Sequence, residues 1–327
     1  QGDGASIKAK HREKQKDFGD EIFLEDTDAP LPETLNQKTR YAFFSEVAKG
    51  GKSVILSCQD LHLRRTVCYK TLRSEFQKDP IENKRLLREA RISALLQHPN
   101  TIPTYEIGRD NQGNYFFTMK LVRGYTLREL LDYRERYDFS QLFGVVIQIA
   151  NALAYAHSAG VLHRDVKPDN ILVGPYGEVL LLDWGMAKVW SKSQNYVSGE
   201  ITIQEVDGPI NMTGEGKLQG TVMYMSPEQI ERDVNISFQS DIYSFGVVLY
   251  ELLTGRTPFQ GKRIRTLLEE IRFQTPSEPK LDGGSLVSEL INDLTMRCLK
   301  KNPIDRPKSF EEIIRILKED QPLIVHS

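Results

Sequence analysis

The chain has 327 residues, of which 27% are charged and 39% hydrophobic, the composition of a folded protein long enough to bury a sizeable core. Its formal net charge of −2 argues against a nucleic-acid-binding surface, so no nucleic-acid partner is expected. The three cysteines are odd in number and not in CxxC pairs, which argues against a disulfide framework or a zinc site and favours a reducing, cytoplasmic compartment.

The ends and the apolar runs of the chain bear on its relation to a membrane. No apolar run approaches the roughly 18 residues that span a bilayer, so no membrane segment is expected in this chain. It starts at Gln1 without Met, and we expect the cytoplasmic part of a longer protein whose anchor, if any, lies elsewhere. Residues 1–40 are polar and include Pro30 and Pro32, which predicts a flexible or regulatory N-terminal extension.

The pattern of apolar residues predicts a small β-rich part followed by a larger helical part. The first part has strand-like runs at 41–44, 53–56, 66–70, 102–107 and 115–121, with one amphipathic helix at 81–96. From Thr126 onward helices dominate, at 127–136, 140–159, 227–231, 240–254, 263–272, 285–299 and 308–318.

The most informative segment is His163-Arg164-Asp165-Val166-Lys167-Pro168-Asp169-Asn170, which is followed after a strand-like run by Asp183-Trp184-Gly185. One loop thereby carries a carboxylate that can accept a proton (Asp165), a cation for a travelling phosphate (Lys167) and an amide that can ligate a metal ion (Asn170). Asp183 adds a second carboxylate for the metal. The spacing resembles the HRDxKPxN and DxG motifs of protein kinases.

Other segments extend the resemblance to bacterial, eukaryotic-like Ser/Thr protein kinases over about residues 41 to 320. They are the VAIK-like run 67–70, the hinge-like run 115–122, the GTxxYMxPE-like run 220–228 and Asn302–Pro307. The resemblance implies an α+β, bilobal protein-kinase-like fold, with a small β-rich N-lobe carrying one main helix and a larger, mostly helical C-lobe. The implied divisions are 41–122 for the N-lobe and hinge, 123–320 for the C-lobe and 321–327 for a C-terminal tail.

By this resemblance, the nucleotide-binding residues lie mainly in the N-lobe. Lys70 would hold the α- and β-phosphates of ATP, and Glu89 would pair with Lys70. Gly50, Gly51 and Val54 would cover the phosphates, although Ala48 and Ser53 stand where the family has its outer glycines, a departure that bears on ATP affinity and loop mobility. Lys52 would contact a phosphate or, as we favour, remain a solvated surface residue. Met119 would be the gatekeeper, and backbone groups of Lys120 and Val122 would bind the adenine.

In the C-lobe, the resemblance implies which residues carry out phosphoryl transfer and bind the metal ion. Asp165 would accept or orient the proton of the substrate hydroxyl, Lys167 would contact the γ-phosphate, and Asn170 and Asp183 would hold Mg²⁺ or Mn²⁺. Trp184 replaces the commoner Phe of the DFG motif.

Further C-lobe residues concern structure and regulation. Asp241 would tie the catalytic loop to a central helix, and Glu228 would pair with Arg306. Thr221 with Lys167 is the Ser/Thr-kinase pairing, and Arg164 would pair with a phosphorylated residue between Gly185 and Gly220. Thr213 is the first choice for this phosphosite, with Ser198 and Thr202 as weaker candidates.

These residues predict a Ser/Thr protein kinase that transfers the γ-phosphoryl of ATP to protein hydroxyls and phosphorylates its own activation segment. Dimerisation for trans-autophosphorylation is a further expectation. The alternative is a pseudokinase scaffold that binds nucleotide or partners without turnover, supported only by the altered glycine loop. A small-molecule phosphotransferase is a third interpretation, which is disfavoured because such enzymes usually lack a segment like Ser226-Pro227-Glu228.

Overall fold

We describe the protein from a computed structural model, which covers residue 30 and residues 39–189, 222–231, 236–280 and 288–324. For Glu135 and residues 321–324 only the backbone is described. Nearly all of the predicted N-terminal extension and the predicted regulatory residues Thr213 and Thr221 lie outside the described residues, as do Ser198 and Thr202.

The first lobe is built on a five-stranded antiparallel sheet. Its strands are β1 (Tyr41–Lys49), β2 (Ser53–Asp60), β3 (Arg65–Leu72), β4 (Thr104–Arg109) and β5 (Tyr115–Lys120), and they lie in the order β1-β2-β3-β5-β4. Its two central strands, β3 and β5, carry consecutive buried residues because the sheet is covered on both faces there. The edge strand β4 instead alternates between half-buried and exposed positions.

Helix α1 (Pro80–Leu95) packs against this sheet. Its start is fixed locally, because the Asp79 side chain accepts hydrogen bonds from the first turn and proline at the first helical position needs no amide partner. Leu86, Glu89 and Ala90 are buried and share one face at helical spacing. The same stripe that anchors the helix therefore carries Glu89 toward β3.

The second lobe is mostly helical, and its core surrounds two long, largely buried helices, α3 (Phe139–Ser158) and α5 (Phe238–Thr254). Short strands before and after α3 form two small sheets. The small elements are β6 (Tyr125–Thr126), α2 (Leu127–Leu131), β7 (Val161–Leu162), β8 (Ile171–Val173), β9 (Val179–Leu181) and β10 (Lys188–Val189). The remaining helices are α4 (Pro227–Ile230), α6 (Ile264–Phe273), α7 (Glu289–Cys298) and α8 (Phe310–Ile324).

The structure differs from the predicted elements chiefly around residues 127–136. The predicted single helix is α2, five residues long, followed by a 3-10 turn at Arg134–Arg136. Leu127, Leu130 and Leu131 are buried, but the next positions at helical spacing are charged, so no apolar face continues the helix. At the C-terminus, α8 continues through the predicted start of the tail at residue 321.

Helix α3 bears on the expected absence of a membrane segment. It is 20 residues long, and the hydropathy of an 18-residue window within it reaches 1.4, enough to cross a membrane by length and composition alone. Ten of its residues are buried in the core of the second lobe, as in the central helix of a folded domain. Its apolar character therefore has a sufficient explanation in core packing.

Candidate active site

Three elements bring an ion triad together between the lobes: β3 carries Lys70, α1 carries Glu89, and the segment after β9 carries Asp183. The Lys70 Nζ lies 2.5 Å from Glu89 Oε1 and 3.9 Å from Asp183 Oδ1. The predicted Lys70–Glu89 pair is thereby confirmed. The side chains of the pair are 9% and 11% exposed, whereas that of Asp183 is 48% exposed, so Asp183 is the member accessible from the cleft.

The charges of this triad follow from their mutual contacts. Burial lowers the pKa of Lys70, but the neighbouring Glu89 and Asp183 outweigh it and the net shift is upward. Lys70 is the main reason that the pKa of Asp183 is lowered. Burial raises the pKa of Glu89 although Lys70 opposes it. At neutral pH the site therefore presents an ammonium beside an ionised, accessible carboxylate.

Asp183 has a left-handed backbone, with φ of 60°. Non-glycine residues seldom adopt this conformation, and it is held here by a hydrogen bond of 3.2 Å from the Gly185 amide to Asp183 Oδ1. A Cβ on Gly185 would lie 3.0 Å from the same oxygen, so glycine permits this close approach. Trp184 is 1% exposed and packs edge-on to His163, with ring centroids 4.6 Å apart.

The loop His163–Asn170, called the catalytic loop below, is anchored by buried polar groups. Asp241 on α5 accepts hydrogen bonds from the amides of His163 and Arg164, at 2.8 and 2.7 Å. The predicted tie between Asp241 and this loop is confirmed. Burial would raise the pKa of Asp241, but the hydrogen bond with His157, the proximity of His163 and the Arg164 amide make the net shift downward. Arg164 itself is left-handed, with φ of 70°, a conformation that these anchors maintain.

His163 joins the two functional loops. Its Nδ1 accepts from the Asp165 amide at 3.2 Å, and its Nε2 lies 2.9 Å from the Leu182 carbonyl. Because a carbonyl can only accept, the proton is on Nε2 and the ring connects Asp165 to the residue before Asp183. In the sequence His163 is visible only as part of the motif, and no role was predicted for it.

Asp165 lies at the centre of the catalytic loop. Lys167 Nζ donates to its carboxylate at 2.7 and 3.0 Å, and the Asn170 side-chain amide donates to Asp165 Oδ2 at 2.9 Å and to the Asp165 carbonyl at 2.8 Å. Burial raises the pKa of Asp165, with Lys167 acting in the opposite direction. Of the three residues predicted for this loop, Lys167 and Asn170 therefore each contact Asp165 directly.

The oxygen donors of the cleft could hold a divalent cation only if phosphate oxygens of a bound nucleotide complete its coordination. Within the described ranges there is no group of three or more His, Cys, Asp or Glu side chains that could hold a metal ion. Asp183 offers an accessible carboxylate, and Asn170 keeps its amide oxygen because its amide nitrogen is bonded to Asp165. The Leu182 amide donates to the Asn170 carbonyl at 2.8 Å, which keeps the two segments adjacent. One carboxylate and one amide oxygen, completed by phosphate oxygens, is a donor set that Mg²⁺ accepts.

The residues predicted to cover the phosphates lie on the turn between β1 and β2 and on β2 itself. The turn between β1 and β2 (Gly50–Lys52, the β1–β2 turn below) closes with a hydrogen bond of 2.9 Å from Gly50 N to the Ser53 carbonyl. A Cβ on Gly51 would meet no atom within 4 Å, so this face is open to a ligand. Val54 follows on β2, opposite Thr71 on β3.

The predicted hinge begins at the end of β5. Met119 is 8% exposed and pairs with Cys68 on β3 and Thr104 on β4. The Lys120 amide donates to the Pro103 carbonyl at 2.9 Å, so an adenine contact through Lys120 would use its carbonyl. Val122 is half-buried in the segment that follows.

The comparison with family models decides the classification. Residues 41–316 match the model of the protein kinase domain. The chain belongs to the protein kinase family. The predicted membership of the protein kinase family and the predicted bilobal α+β fold are thereby confirmed, and the family implies the use of ATP and a divalent metal ion.

Several bacterial protein kinases are similar to this one. The serine/threonine-protein kinase PknD of Protochlamydia amoebophila is 36% identical over 297 residues, which cover 85% of this chain and 30% of that protein. The serine/threonine-protein kinase pkn3 of Myxococcus xanthus is 33% identical over 291 residues, covering 88% of this chain and 50% of the relative. A probable serine/threonine-protein kinase of Clostridium acetobutylicum is 32% identical over 276 residues, covering 84% and 39%. This kinase domain thus spans between about a third and half of the length of these relatives.

The C-lobe of the kinase domain contains the second predicted ion pair. Arg306 Nη1 lies 2.7 Å from Glu228 Oε1, which confirms the pairing. The Gln229 side chain donates to the Arg164 carbonyl at 2.9 Å, so the start of α4 is tied to the catalytic loop. No described contact tests the predicted regulatory role of Arg164, because its predicted partner Thr213 lies outside the described residues.

Two groups of contacts were missed from the sequence. Lys52, expected to be solvated, forms an ion pair of 2.6 Å with Glu82 on α1. Arg128 on α2 forms a two-bond ion pair with Glu251 on α5, and Tyr224 also donates to Glu251 at 2.5 Å. Arg128 also donates to the Tyr224 hydroxyl, so its partners Tyr224 and Glu251 are 96 and 123 residues away along the chain. No local sequence pattern signals such a contact.

Proposed function

We propose that this protein kinase domain transfers the γ-phosphoryl group of ATP to serine and threonine hydroxyls of protein substrates. The observation that carries the proposal is the assembled cleft, in which Lys70 contacts Glu89 and Asp165 contacts Lys167 and Asn170. Phosphoryl transfer depends mainly on positioning and charge neutralisation, and these are the groups that supply both. The names of the similar bacterial kinases support the choice of serine and threonine.

In this proposal ATP binds between the lobes. Its adenine lies against Met119, with the Lys120 carbonyl and a backbone group of Val122 as hydrogen-bond partners. Lys70 binds the α- and β-phosphates with its ammonium, which Glu89 keeps in place. The open face of Gly51 admits the phosphates below the β1–β2 turn, and Val54 packs beside them.

The transfer step is a displacement at the γ-phosphorus. The substrate hydroxyl oxygen forms a bond to phosphorus, the bond to the β,γ-bridging oxygen breaks, and ADP leaves with those electrons. Asp165 accepts the hydroxyl proton, and its raised pKa makes it a better acceptor than an ordinary aspartate. Lys167 then turns from Asp165 to the γ-phosphoryl oxygens. A divalent cation held by Asp183 and Asn170 would neutralise phosphate charge when bound, and their oxygen donors suit Mg²⁺ or Mn²⁺.

Regulation and location are part of the same proposal. Autophosphorylation at Thr213, between two copies of the domain, would place a phosphate on the activation segment where Arg164 can pair with it. Thr221 would help to orient the serine or threonine substrate beside Lys167. The three cysteines are buried and free, which supports a reducing, cytoplasmic location for this part of the protein.

Intact mass after incubation with ATP and Mg²⁺ tests the proposal, beside an Asp165→Asn control and a parallel incubation with Mn²⁺. We expect added phosphates in the wild type and none in the control, with peptide mapping identifying Thr213. If ATP binds but no phosphate is added to the chain or to a generic Ser/Thr substrate protein, the pseudokinase alternative replaces the proposal. Phosphate on a small-molecule acceptor alone would instead indicate a small-molecule phosphotransferase.

A further inference from the structure

The β1–β2 turn is held by a side chain of helix α1. Lys52, the last residue of the turn, places its Nζ 2.6 Å from Glu82 Oε1. The Glu82 side chain is 8% exposed and that of Lys52 is 32% exposed, so this contact is more shielded than an ordinary surface ion pair. The turn that covers the proposed phosphate site is thus connected to α1 by a charge-assisted hydrogen bond.

Arg73, which follows β3, makes two further contacts with the same turn. Its backbone amide donates to the Lys52 carbonyl at 2.9 Å, and its guanidinium donates to the Gly51 carbonyl at 2.9 Å. The turn is therefore fixed by its backbone on one side and by the Lys52 side chain on the other. Since Ala48 and Ser53 stand where the family has glycines, this turn is stabilised by contacts rather than left to adapt through glycine flexibility.

Glu82 lies on α1 seven residues before Glu89, and this spacing puts both carboxylates on the same face of the helix. Both side chains are nearly buried. Glu89 holds Lys70, and Glu82 holds Lys52. The position of one helix thereby sets both the lysine beneath the proposed phosphate site and the turn above it.

We propose that Glu82 is a positioning residue for ATP binding, which holds the β1–β2 turn over the phosphates through Lys52. The proposal rests on the proposed function only in that ATP occupies this cleft. Glu82 does not touch the nucleotide, and Lys52 acts through Glu82 rather than on a phosphate. Loss of either side chain leaves the turn less well placed, so the affinity for ATP falls while the transfer step is preserved.

The test uses Lys52→Met, Glu82→Gln and the double variant, with Arg85→Met as the matched control. Arg85 donates to the same Oε1 of Glu82 at 2.7 Å but lies on α1, outside the turn. The measurements are the Kd for ATP with Mg²⁺ by calorimetry, KM and kcat, and hydrogen exchange of residues 48–53 with and without ATP. Glu82→Asp and thermal unfolding of each variant check that the helix still folds.

We expect Lys52→Met and Glu82→Gln each to raise the Kd and KM for ATP about fivefold, or ~1 kcal/mol, with kcat changed less than twofold. The double variant should match the single ones, because both break the same contact. Exchange in the turn should speed up in all three, and Arg85→Met should leave the Kd for ATP unchanged.

Three results would overturn the proposal. A higher Kd for ATP in Lys52→Met but not in Glu82→Gln would mean that Lys52 acts on the phosphates directly. Equal losses in Glu82→Gln and Arg85→Met would indicate a general effect on α1. Unchanged affinity in every variant would mean that the contact does not position the turn. Because ATP binding and exchange need no turnover, a chain that binds ATP in the expected pattern without phosphoryl transfer would contradict only the proposed function.

Discussion

Among the described residues, each lobe contains a buried ion pair that was expected from the sequence, and the two pairs differ in how completely their donors are used. The side chains of Lys70 and Glu89 are 9% and 11% exposed, and those of Arg306 and Glu228 are 0% and 9% exposed. All five N–H groups of Arg306 donate, two to Glu228 and three to backbone carbonyls. Within the described part of the chain, Lys70 has one close acceptor, Glu89, and Asp183 lies beyond hydrogen-bond distance at 3.9 Å.

The same difference is seen in the carboxylates. Burial raises the pKa of both, but in Glu228 the bonds from Arg306 and Ser240 outweigh burial and the net pKa is lowered. In Glu89 burial prevails and the net pKa is raised. A closed pair such as Arg306–Glu228 stabilises structure, whereas an open pair such as Lys70–Glu89 keeps donors for a ligand. Similar burial therefore corresponds to different roles.

Arg306→Met should have the largest effect on stability. It removes the only positive charge paired with Glu228 among the described residues, leaves that carboxylate with the Ser240 bond, and takes the Arg306 donor from three carbonyls. We expect a loss of about 3–5 kcal/mol in the free energy of unfolding. Urea denaturation followed by circular dichroism measures it. A loss below about 1 kcal/mol would show that the pair is not the structural contact its geometry indicates.

Lys70→Met is the matched change in the open pair. Because the pKa of Glu89 is already raised, Glu89 can take up a proton when the ammonium is removed, and we expect a stability loss of only about 1–2 kcal/mol. Phosphoryl transfer should fall at least ~100-fold, since the phosphates lose a positioned cation. Denaturation and radiolabelled ATP assays on the same samples separate the two effects. Equal stability losses in Lys70→Met and Arg306→Met would break the comparison.

The pH dependence of stability should differ in sign between Glu228→Gln and Glu89→Gln. A lowered folded pKa in Glu228 contributes stability that is present above its ordinary value of 4.5 and is lost as pH falls through the folded pKa. The advantage of wild type over Glu228→Gln should therefore shrink from pH 6 toward pH 3, by at most ~1.4 kcal/mol per pH unit. For Glu89 the raised pKa predicts the reverse, because the folded state binds the proton more tightly. Urea denaturation across this range measures both, and trends of the same sign would contradict the contrast.

Trp184→Phe should have the smallest effect. Trp184 is 1% exposed beside the open pair, and its Nε1 has no hydrogen-bond partner among the described residues. Phenylalanine loses packing area but removes this unsatisfied donor, so we expect a stability change within about 1 kcal/mol and kcat within a few-fold of wild type. Thermal unfolding and steady-state assays check it. A large gain in stability would mean that the unsatisfied indole strains this state of the cleft.

Much of the site could be predicted because its residues come in short motifs with fixed spacing. The catalytic loop places Asp165, Lys167 and Asn170 within six residues, and the order of β3 and α1 identified Lys70 and Glu89 although they are 19 residues apart. Element limits were predicted less well, because α2 ends where apolar spacing fails and the two-residue strands β6, β7 and β10 are too short to show a pattern.

The sequence by itself determined the family, the two-lobed order of elements and the identity of the groups proposed to face ATP, because these depend on local spacing and on motif order. Only the tertiary structure decided how those groups are held. The contacts of Lys52 with Glu82, of Arg128 with Glu251 and of Arg306 with Glu228 each depend on backbones that folding brings together from distant positions. The residue type of a charged side chain does not reveal its role. Its surroundings in the fold decide whether it is solvated, stabilises the structure or is available to a ligand.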